Sequence, residues 1–299
     1  PKRVAARSRF GSPTSVGDRL AIGGKDWLMP IDGMTFVITG GARGIGADTG
    51  RLAASRGARV VLSDVLADEG QAVAAEITAN GGDAIFVETD LTDDDAVRRL
   101  MGTAADHFGS LDVLHNNAGI HEAMITSDFA FEDMTVETFD RVMAVNLRAP
   151  FVCAKAATPY LKQSTRSPSI ITAGSTASIV GYPSGLAYGT SKGGVAQLTK
   201  NLAVALAPHG IRANCYCPAA VDTEMPRQVG VATTAGGDPS RASNNASTHL
   251  VGRVGEVRDI SELVCYLASE EASFVNGVVW PIDGGSLAWR GTIDHLGMT

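Results

Sequence analysis

Short apolar runs alternate with helical stretches along most of the chain, and this alternation predicts its fold. Predicted strands cover residues 35–39, 59–64, 84–87, 111–114, 169–172, 211–216 and 278–282. Predicted helices cover residues 45–56, 67–79, 93–108, 136–161 and 257–267, and a further helix ends near residue 207. Several strands are apolar throughout, as in parallel sheets that have helices on both faces. The pattern therefore predicts an α/β fold with a doubly wound parallel sheet of about seven strands.

The same pattern divides the chain into one domain and two extensions. Residues 34–286 are predicted to form a single domain, in which residues 224–252, rich in Gly, Ser and Asn, form a lid. Residues 287–299 form a tail, and residues 1–33 form an N-terminal extension that starts with several basic residues and has no acid before Asp18. An Arg-rich, acid-poor leader can direct import into an organelle. A leader without a role is the alternative that we favour.

Composition and charge narrow the class of protein. Hydrophobic residues make up 44% and charged residues 19% of the 299 residues, which fits a globular protein with a sizeable core. The net charge of −7 argues against a nucleic acid or an anionic membrane as the partner. No apolar run reaches the length that a membrane span needs.

The cysteines indicate neither a disulfide framework nor a metal site. Cys215 and Cys217 share one face of a predicted strand, where the geometry for a bond between them is poor. No second cysteine pair or His cluster completes a zinc site, so no metal is expected. Buried reduced thiols are expected instead, and these favour a cytoplasmic location.

A glycine-rich turn lies between the first predicted strand and the first predicted helix. Gly40, Gly44 and Gly46 occupy it, and glycine permits positive φ and a close approach of the backbone to phosphate oxygens. The N-terminus of the next helix supplies free N–H groups and a favourable dipole. Because sheets of this kind bind dinucleotides at this turn, a dinucleotide site is predicted here.

Asp64 and Arg43 bear on which dinucleotide binds. Asp64 ends the second predicted strand, 20 residues after Gly44, where a carboxylate can accept hydrogen bonds from the adenosine ribose and repel a 2′-phosphate. Arg43 could instead bind a 2′-phosphate. Unfavourable charge at the ribose costs more than a mobile exposed Arg returns. NAD is therefore expected, and NADP is left open.

Tyr188 and Lys192 are four residues apart on a predicted helix, so their side chains can project into one site. A free phenol loses its proton near pKa ~10, and a nearby cation lowers that value. Such a Tyr can donate a proton to a carbonyl oxygen or accept one from an alcohol. The pair alone is a weak indication, because a half-buried Tyr beside a solvated Lys has the same spacing.

Residues 34–286 resemble the short-chain dehydrogenase/reductase family, because six motifs occur in its order. Residues 39–46 match the nucleotide loop, residues 90–91 the adenine contact, and residues 116–119 the central-strand motif. Residues 218–223 resemble the segment that runs past the nicotinamide. The positions that correspond to the family's catalytic tetrad are Asn146, Ser175, Tyr188 and Lys192. The resemblance implies a sheet of Rossmann type.

The resemblance also implies a role for each of these residues. Tyr188 would act as the general acid in reduction and the general base in oxidation, and Lys192 would lower its pKa and bind the nicotinamide ribose. Ser175 would hold the substrate oxygen, and Asn146 would anchor a water that leads to Lys192. Thr223 would bind the carboxamide. The expected cofactor contacts are Gly40, Arg43, Gly44, Ile45, Gly46, Asp64, Asp90, Leu91, Asn117, Ala118, Gly119, Tyr188, Lys192, Pro218, Val221 and Thr223.

These assignments predict an NAD-dependent oxidoreductase that interconverts a secondary alcohol and a ketone by hydride transfer. The predicted lid lacks a cluster of Arg or Lys that would grip a phosphate or a diacid. A compact apolar substrate that is cyclic, terpenoid or steroid-like is therefore expected. The candidate substrate contacts are His121, Ala177, Ile179, Tyr182 and Met225.

Two alternatives and one expectation about assembly complete the prediction. An NADPH-dependent 3-oxoacyl-acyl-carrier-protein reductase would need a basic docking surface and tolerance of a phosphate at Asp64. A non-catalytic nucleotide-sensing protein would not need an intact tetrad. The resemblance implies a homotetramer that pairs the helices at residues 136–161 and 189–207 and makes another contact through the C-terminal strand.

Overall fold

Seven parallel strands form one sheet in a computed structural model that describes residues 31–127, 130–182, 185–225 and 246–289. The strands are β1 (Thr35–Thr39), β2 (Arg59–Asp64), β3 (Asp83–Glu88), β4 (Val113–Asn116), β5 (Ser169–Ala173), β6 (Arg212–Pro218) and β7 (Val279–Ile282). Their spatial order is β3-β2-β1-β4-β5-β6-β7, and every neighbouring pair is parallel. This sheet confirms the predicted α/β class.

Helices cover both faces of the sheet. They are α1 (Gly44–Ser55), α2 (Ala67–Ala79), α3 (Asp94–Phe108), α4 (Val136–Met143), α5 (Ala149–Leu161), α6 (Leu186–Leu206) and α7 (Val257–Ala268). Successive strand residues point to opposite faces, so Phe36 and Ile38 of β1 lie in a core with α1, α2 and α7. Val37 lies between them in sequence and belongs to the opposite core, with α3, α5 and α6. Burial on both faces explains why the three central residues of β1 are all apolar.

The strand order reverses beside β1, and this reversal positions the candidate site. The chain proceeds outward from β1 to β2 and β3, and then returns to place β4 on the other side of β1. A reversal of this kind leaves a crevice outside the carboxyl ends of the strands, where ligands bind. The segments that follow β1, β4, β5 and β6 all meet at this edge of the sheet.

Most elements lie within one or two residues of their predicted bounds, and two show informative differences. β4 runs to Asn116, because His115 and Asn116 pair within the sheet although they are polar. The apolar pattern therefore ended the predicted strand too early. The helix predicted over residues 136–161 is divided by a π-helical turn, Ala144–Arg148, between α4 and α5. Such a turn changes the backbone hydrogen bonding without changing the apolar pattern.

Parts of the predicted extensions lie outside the described residues: residues 1–30, residues 226–245 of the predicted lid, and residues 290–299 of the tail. Ile31, the first described residue, is fully buried in the core. All four cysteines, Cys153, Cys215, Cys217 and Cys265, are free and buried. Within the described ranges, no helix has the length and apolar character to cross a membrane. The described His, Cys, Asp and Glu side chains form no group of three or more that could hold a metal ion.

Candidate active site

The glycine turn between β1 and α1 is tightly closed. Gly40 and Gly44 have φ values of +67° and +53°, and a Cβ on Gly46 would lie 2.1 Å from the carbonyl oxygen of Gly40. A larger residue at Gly46 would therefore displace the turn. Arg43, at the N-cap of α1, makes no side-chain cap, and the first turn of the helix contains no acid. The start of α1 thus suits the pyrophosphate of a dinucleotide.

Asp64 borders this turn from the end of β2. Its Oδ2 accepts the N–H of Ala42 at 3.1 Å, and its Oδ1 accepts the N–H groups of the two residues that follow it. Arg43 forms an ion pair with Glu69 of α2, in which the side chains are 49% and 42% exposed. The Asp64 carboxylate therefore lies against the turn. Arg43, the basic residue within the turn, is paired with another acid.

Asn117 ties the turn to the end of β4. Its Nδ2 donates to the carbonyl oxygens of Thr39 and Gly40, at 3.1 and 3.0 Å. The N–H groups of Asn117 and Ala118 both donate to Thr39 Oγ1, at 3.1 and 3.3 Å. These bonds hold the segments after β1 and β4 together at the crevice.

The other predicted cofactor contacts reach the crevice from its two sides. The N–H of Thr89 donates to the carbonyl oxygen of Asp64, which places Asp90 and Leu91 beside the end of β2. On the opposite side, the segment after Pro218 returns to the glycine turn, where a Cβ on Gly44 would lie 3.3 Å from Thr223 Cγ2. Val221 in this segment forms a parallel bridge with Gly255. Ile45, on the first turn of α1, packs against the core.

Ser175, Tyr188 and Lys192 meet beyond the end of β5. Ser175 follows this strand, and its side chain lies beside Tyr188, which is on the first turn of α6. Lys192 is buried one turn later, its Nζ 5.7 Å from the centre of the Tyr188 ring. This ammonium group donates to the carbonyl oxygen of Ala173 at 2.7 Å. A hydroxyl, a phenol and an ammonium group therefore share one small region.

Asn146 lies in the π-helical turn and faces the same region. Its Nδ2 donates to the carbonyl oxygen of Ile120 at 2.8 Å and to Ser191 Oγ at 3.1 Å, while its Oδ1 accepts the N–H of Ile120 at 2.8 Å. A Cβ on Gly119 would lie 3.3 Å from Asn146 Oδ1 and 3.5 Å from Lys192 Nζ. The end of β4 thus passes close to both side chains.

The protonation of the pair differs from the expectation for Tyr188. Burial raises the pKa of Tyr188 to about 12, although the neighbouring Ser175 side chain acts in the opposite direction. Burial also lowers the pKa of Lys192 to about 8. The expected lowering of the Tyr188 pKa by Lys192 is therefore not found, because burial of the phenol outweighs its favourable contacts. At neutral pH the phenol keeps its proton, and Lys192 is a cation.

Aromatic side chains surround Tyr188. The ring of His121 stacks on it, with centroids 4.8 Å apart and an interplanar angle of 30°, and Tyr182 lies 6.4 Å away. Ala177 is buried after Ser175, and its N–H donates to Ser175 Oγ at 3.1 Å. Of the predicted substrate contacts, His121, Tyr182 and Ala177 are thus brought to the tetrad. Ile179 is exposed and Met225 is partly exposed at the described start of the predicted lid.

Two residues of this region were missed by the sequence argument. The carboxylate of Glu122 is fully buried and accepts the N–H groups of Ala187 and Tyr188, both at 3.0 Å. No local signal reveals this contact, because its partners lie 65 and 66 residues away. Cys217 lies close to Ser175, and a hydrogen bond with Cys215 lowers the pKa of the Cys217 thiol to about 7.

Comparisons with known proteins identify the family. The family model described as enoyl-(acyl carrier protein) reductase matches residues 40–286. Trans-4-hydroxycyclohexanecarboxylate dehydrogenase of Sinomonas cyclohexanicum is 38% identical over 258 residues, which are 84% of this chain and 92% of that protein. The chain belongs to the short-chain dehydrogenase/reductase family. The cis-4-hydroxycyclohexanecarboxylate dehydrogenase of the same organism is 37% identical over 252 residues, 84% of this chain and 96% of that protein.

A solved structure supports the same membership. A short-chain type dehydrogenase/reductase from Mycobacterium marinum superposes with a TM-score of 0.77 at 31% identity, covering 86% of this chain and 96% of that one. The short-chain dehydrogenase/reductase described here is thus an oxidoreductase of the alcohol dehydrogenase and ketone reductase class. Membership also implies a nicotinamide dinucleotide, NAD or NADP, as its cofactor.

Proposed function

We propose that this enzyme interconverts a compact cyclic secondary alcohol and its ketone, with NAD as the hydride carrier. The observation that supports this most strongly is the meeting of Tyr188, Ser175 and Lys192 beside the glycine turn. The proton-transfer group must reach the oxygen of the alcohol while the hydride carrier reaches its carbon, and the phenol and the glycine turn lie at the same edge of the sheet.

The side chains divide the chemistry in a simple way. Tyr188 donates its proton to the ketone oxygen in reduction and takes the hydroxyl proton in oxidation. Ser175 holds that oxygen and stabilises the charge that develops on it. Lys192 is a buried cation at neutral pH, and positive charge favours the phenolate that oxidation requires. The dinucleotide, when bound, supplies or accepts the hydride.

Charge at the ribose site favours NAD. The Asp64 carboxylate lies against the glycine turn, where it would accept hydrogen bonds from ribose hydroxyls and repel a 2′-phosphate. Arg43, which could favour NADP, is paired with Glu69 instead. We therefore assign the ribose contact to Asp64 and only a peripheral role to Arg43.

The side chains around Tyr188 favour an apolar ring as the substrate. His121, Ala177 and Tyr182 surround the phenol, and exposed apolar side chains lie on the same segments, at Met124, Ile179, Val180 and Leu186. Apolar and aromatic walls with a few polar groups are typical of small-molecule sites. Two relatives are named for the oxidation of hydroxycyclohexanecarboxylates, and a ring of that size fits the proposal.

Assembly and location are part of the same proposal. We assign the enzyme to the cytoplasm, in agreement with its four free buried thiols. We also propose that it is a homotetramer. Val136 of α4, Phe151 of α5 and Val204 of α6 are large, exposed apolar side chains on the helices expected to pair. Phe274, which precedes β7, is fully exposed near the other expected contact. Light scattering tests the tetramer, and a monomer would contradict it.

A panel of alcohols tests the proposed activity. Cyclic secondary alcohols, linear secondary alcohols and 3-hydroxyacyl thioesters are each offered with NAD and with NADP, and the absorbance of the reduced dinucleotide is followed. The proposal expects the highest kcat/KM for a cyclic secondary alcohol with NAD. A preference for 3-hydroxyacyl thioesters with NADP would instead support the acyl-carrier-protein-linked alternative. No turnover with any alcohol would reject the proposed function.

A further inference from the structure

The first turn of α6 obtains its cap from a distant part of the chain. Tyr188 is the third residue of this helix, where backbone N–H groups have no acceptor within the helix. Gly185 occupies the N-cap position and has no side chain that could accept them. Serine, threonine or aspartate is the usual residue at this position. The helix that carries the proton-transfer group therefore lacks a local cap.

Glu122 supplies the missing acceptors. It lies in the short 3₁₀ turn Glu122–Met124 after β4, and its side chain is fully buried. Oε1 accepts the N–H of Ala187 and Oε2 accepts the N–H of Tyr188, each at 3.0 Å. A buried carboxylate that receives two N–H bonds at a helix N-terminus is held by hydrogen bonding and by the helix dipole together.

The same turn also positions His121 against the phenol. The Nδ1 of His121 accepts the N–H of Ala123 at 3.1 Å and lies 3.6 Å from Glu122 Oε2. The ring then stacks on Tyr188. One side of the phenol is thus fixed through the backbone of Tyr188 and another through the imidazole face, and both contacts start from adjacent residues.

We propose that Glu122 is a positioning residue for Tyr188, which holds the start of α6 so that the phenol stays aligned with Ser175. Glu122 acts through the backbone of Tyr188 and is not itself a catalytic residue. This inference rests on the proposed role of Tyr188. The negative charge of Glu122 has a second consequence, because an anion close to Tyr188 disfavours the phenolate.

Kinetics of Glu122→Gln test the proposal. Gln has nearly the same shape but only one acceptor oxygen, so one of the two N–H bonds is lost. We expect kcat for alcohol oxidation to fall at least about tenfold, because small misalignment of reacting groups is costly. The KM for the dinucleotide should not change. The rising limb of the pH–rate profile should move to lower pH, since an anion near the phenol is removed.

The other groups that face Tyr188 are left in place in this comparison. They are His121, Ser175, Tyr182, Lys192 and Cys217. Glu122→Asp separates geometry from charge, because it keeps the anion but shortens its reach. Glu122→Asp should lower kcat without shifting the rising limb of the pH–rate profile. It also provides the test of alignment if Glu122→Gln does not fold.

Asp112→Asn is the matched control. Asp112 is buried, and its Oδ2 accepts the N–H of Thr35 at 2.8 Å at the opposite, amino end of the strands. This variant should lower stability and leave kcat and the pH profile unchanged. Wild-type kcat and an unmoved limb in folded Glu122→Gln would overturn the proposal. Tyr188→Phe distinguishes failure of the Glu122 inference from failure of the proposed function, since an active Tyr188→Phe enzyme would reject the proposed function itself.

Discussion

The Asp64 carboxylate accepts the N–H of Ala42 at 3.1 Å, so an acidic side chain is built into the border of the glycine turn. This contact predicts the cofactor preference. Asp64→Asn removes the charge with little change of shape, and it should lower the ratio of kcat/KM for NAD to that for NADP by about 100-fold. Steady-state kinetics with both dinucleotides measure this ratio.

Glu69→Gln is the control for this prediction. It releases Arg43 from its ion pair without altering Asp64. Because the pair is exposed, its loss should change the ratio by less than about threefold. A larger shift in Glu69→Gln than in Asp64→Asn would assign the preference to Arg43 and contradict the account.

Buried Lys192 predicts a conflict between stability and activity. Its pKa falls from 10.5 to about 8 in the folded chain, so the charged form costs stability below pH 8. Lys192→Met should abolish turnover and yet raise the free energy of unfolding by roughly 2 kcal/mol at pH 7. Urea unfolding measures this difference.

The pH dependence of that difference has a definite sign. Between pH 8 and 10.5 the unfolded chain binds more protons at Lys192 than the folded chain, so the stability of the wild type rises with pH. The advantage of Lys192→Met should therefore shrink over this window. Lys200→Met, at an exposed position of α6, should show neither the gain nor the pH dependence. A constant difference at all pH values would contradict the assignment.

The space around two helical glycines predicts different effects of an alanine at each position. Gly46→Ala places a Cβ 2.1 Å from the Gly40 carbonyl oxygen, so dinucleotide affinity should fall at least about 30-fold. Gly102→Ala in α3 places its Cβ at an ordinary 3.5 Å from the Tyr160 hydroxyl. It should stabilise the fold by about 0.5–1 kcal/mol. Fluorescence titration with dinucleotide and urea unfolding measure the two effects, and unchanged affinity in Gly46→Ala would contradict the account.

The sequence predicts the sheet well because its central strands are buried on both faces. β1 and β2 have the predicted bounds, and each has a buried apolar centre. The predicted end of β4 was wrong, because the polar residues His115 and Asn116 continue the strand. The π-helical turn around Asn146 was not predicted either, because its apolar spacing matches an ordinary helix.

The candidate site was predictable only where its signals are local. The spacing of Tyr188 and Lys192 places both on one helix, and the glycine turn is contiguous in sequence. The contact of Glu122 with the start of α6 joins segments 65 residues apart, and a single sequence does not reveal it. The raised pKa of Tyr188 depends on burial in the folded chain, which spacing cannot supply.

The high pKa of Tyr188 predicts different pH profiles for the two directions. Oxidation needs the phenolate, so its kcat should rise from pH 6 to pH 8, where the fraction of phenolate grows while Lys192 still carries charge. Reduction needs the phenol, which stays protonated over this range, so its kcat should not rise. Initial rates in both directions test this, and an oxidation rate independent of pH would contradict the role of the phenol as the base.

Replacement of the phenol tests the central claim most directly. Tyr188→Phe removes one oxygen atom and keeps the ring that stacks on His121. We predict that kcat for alcohol oxidation falls at least about 1,000-fold while dinucleotide affinity and the unfolding midpoint stay near those of the wild type. Tyr160→Phe in α5, outside the site, should retain full activity. A Tyr188→Phe enzyme that keeps most of its turnover would contradict the account.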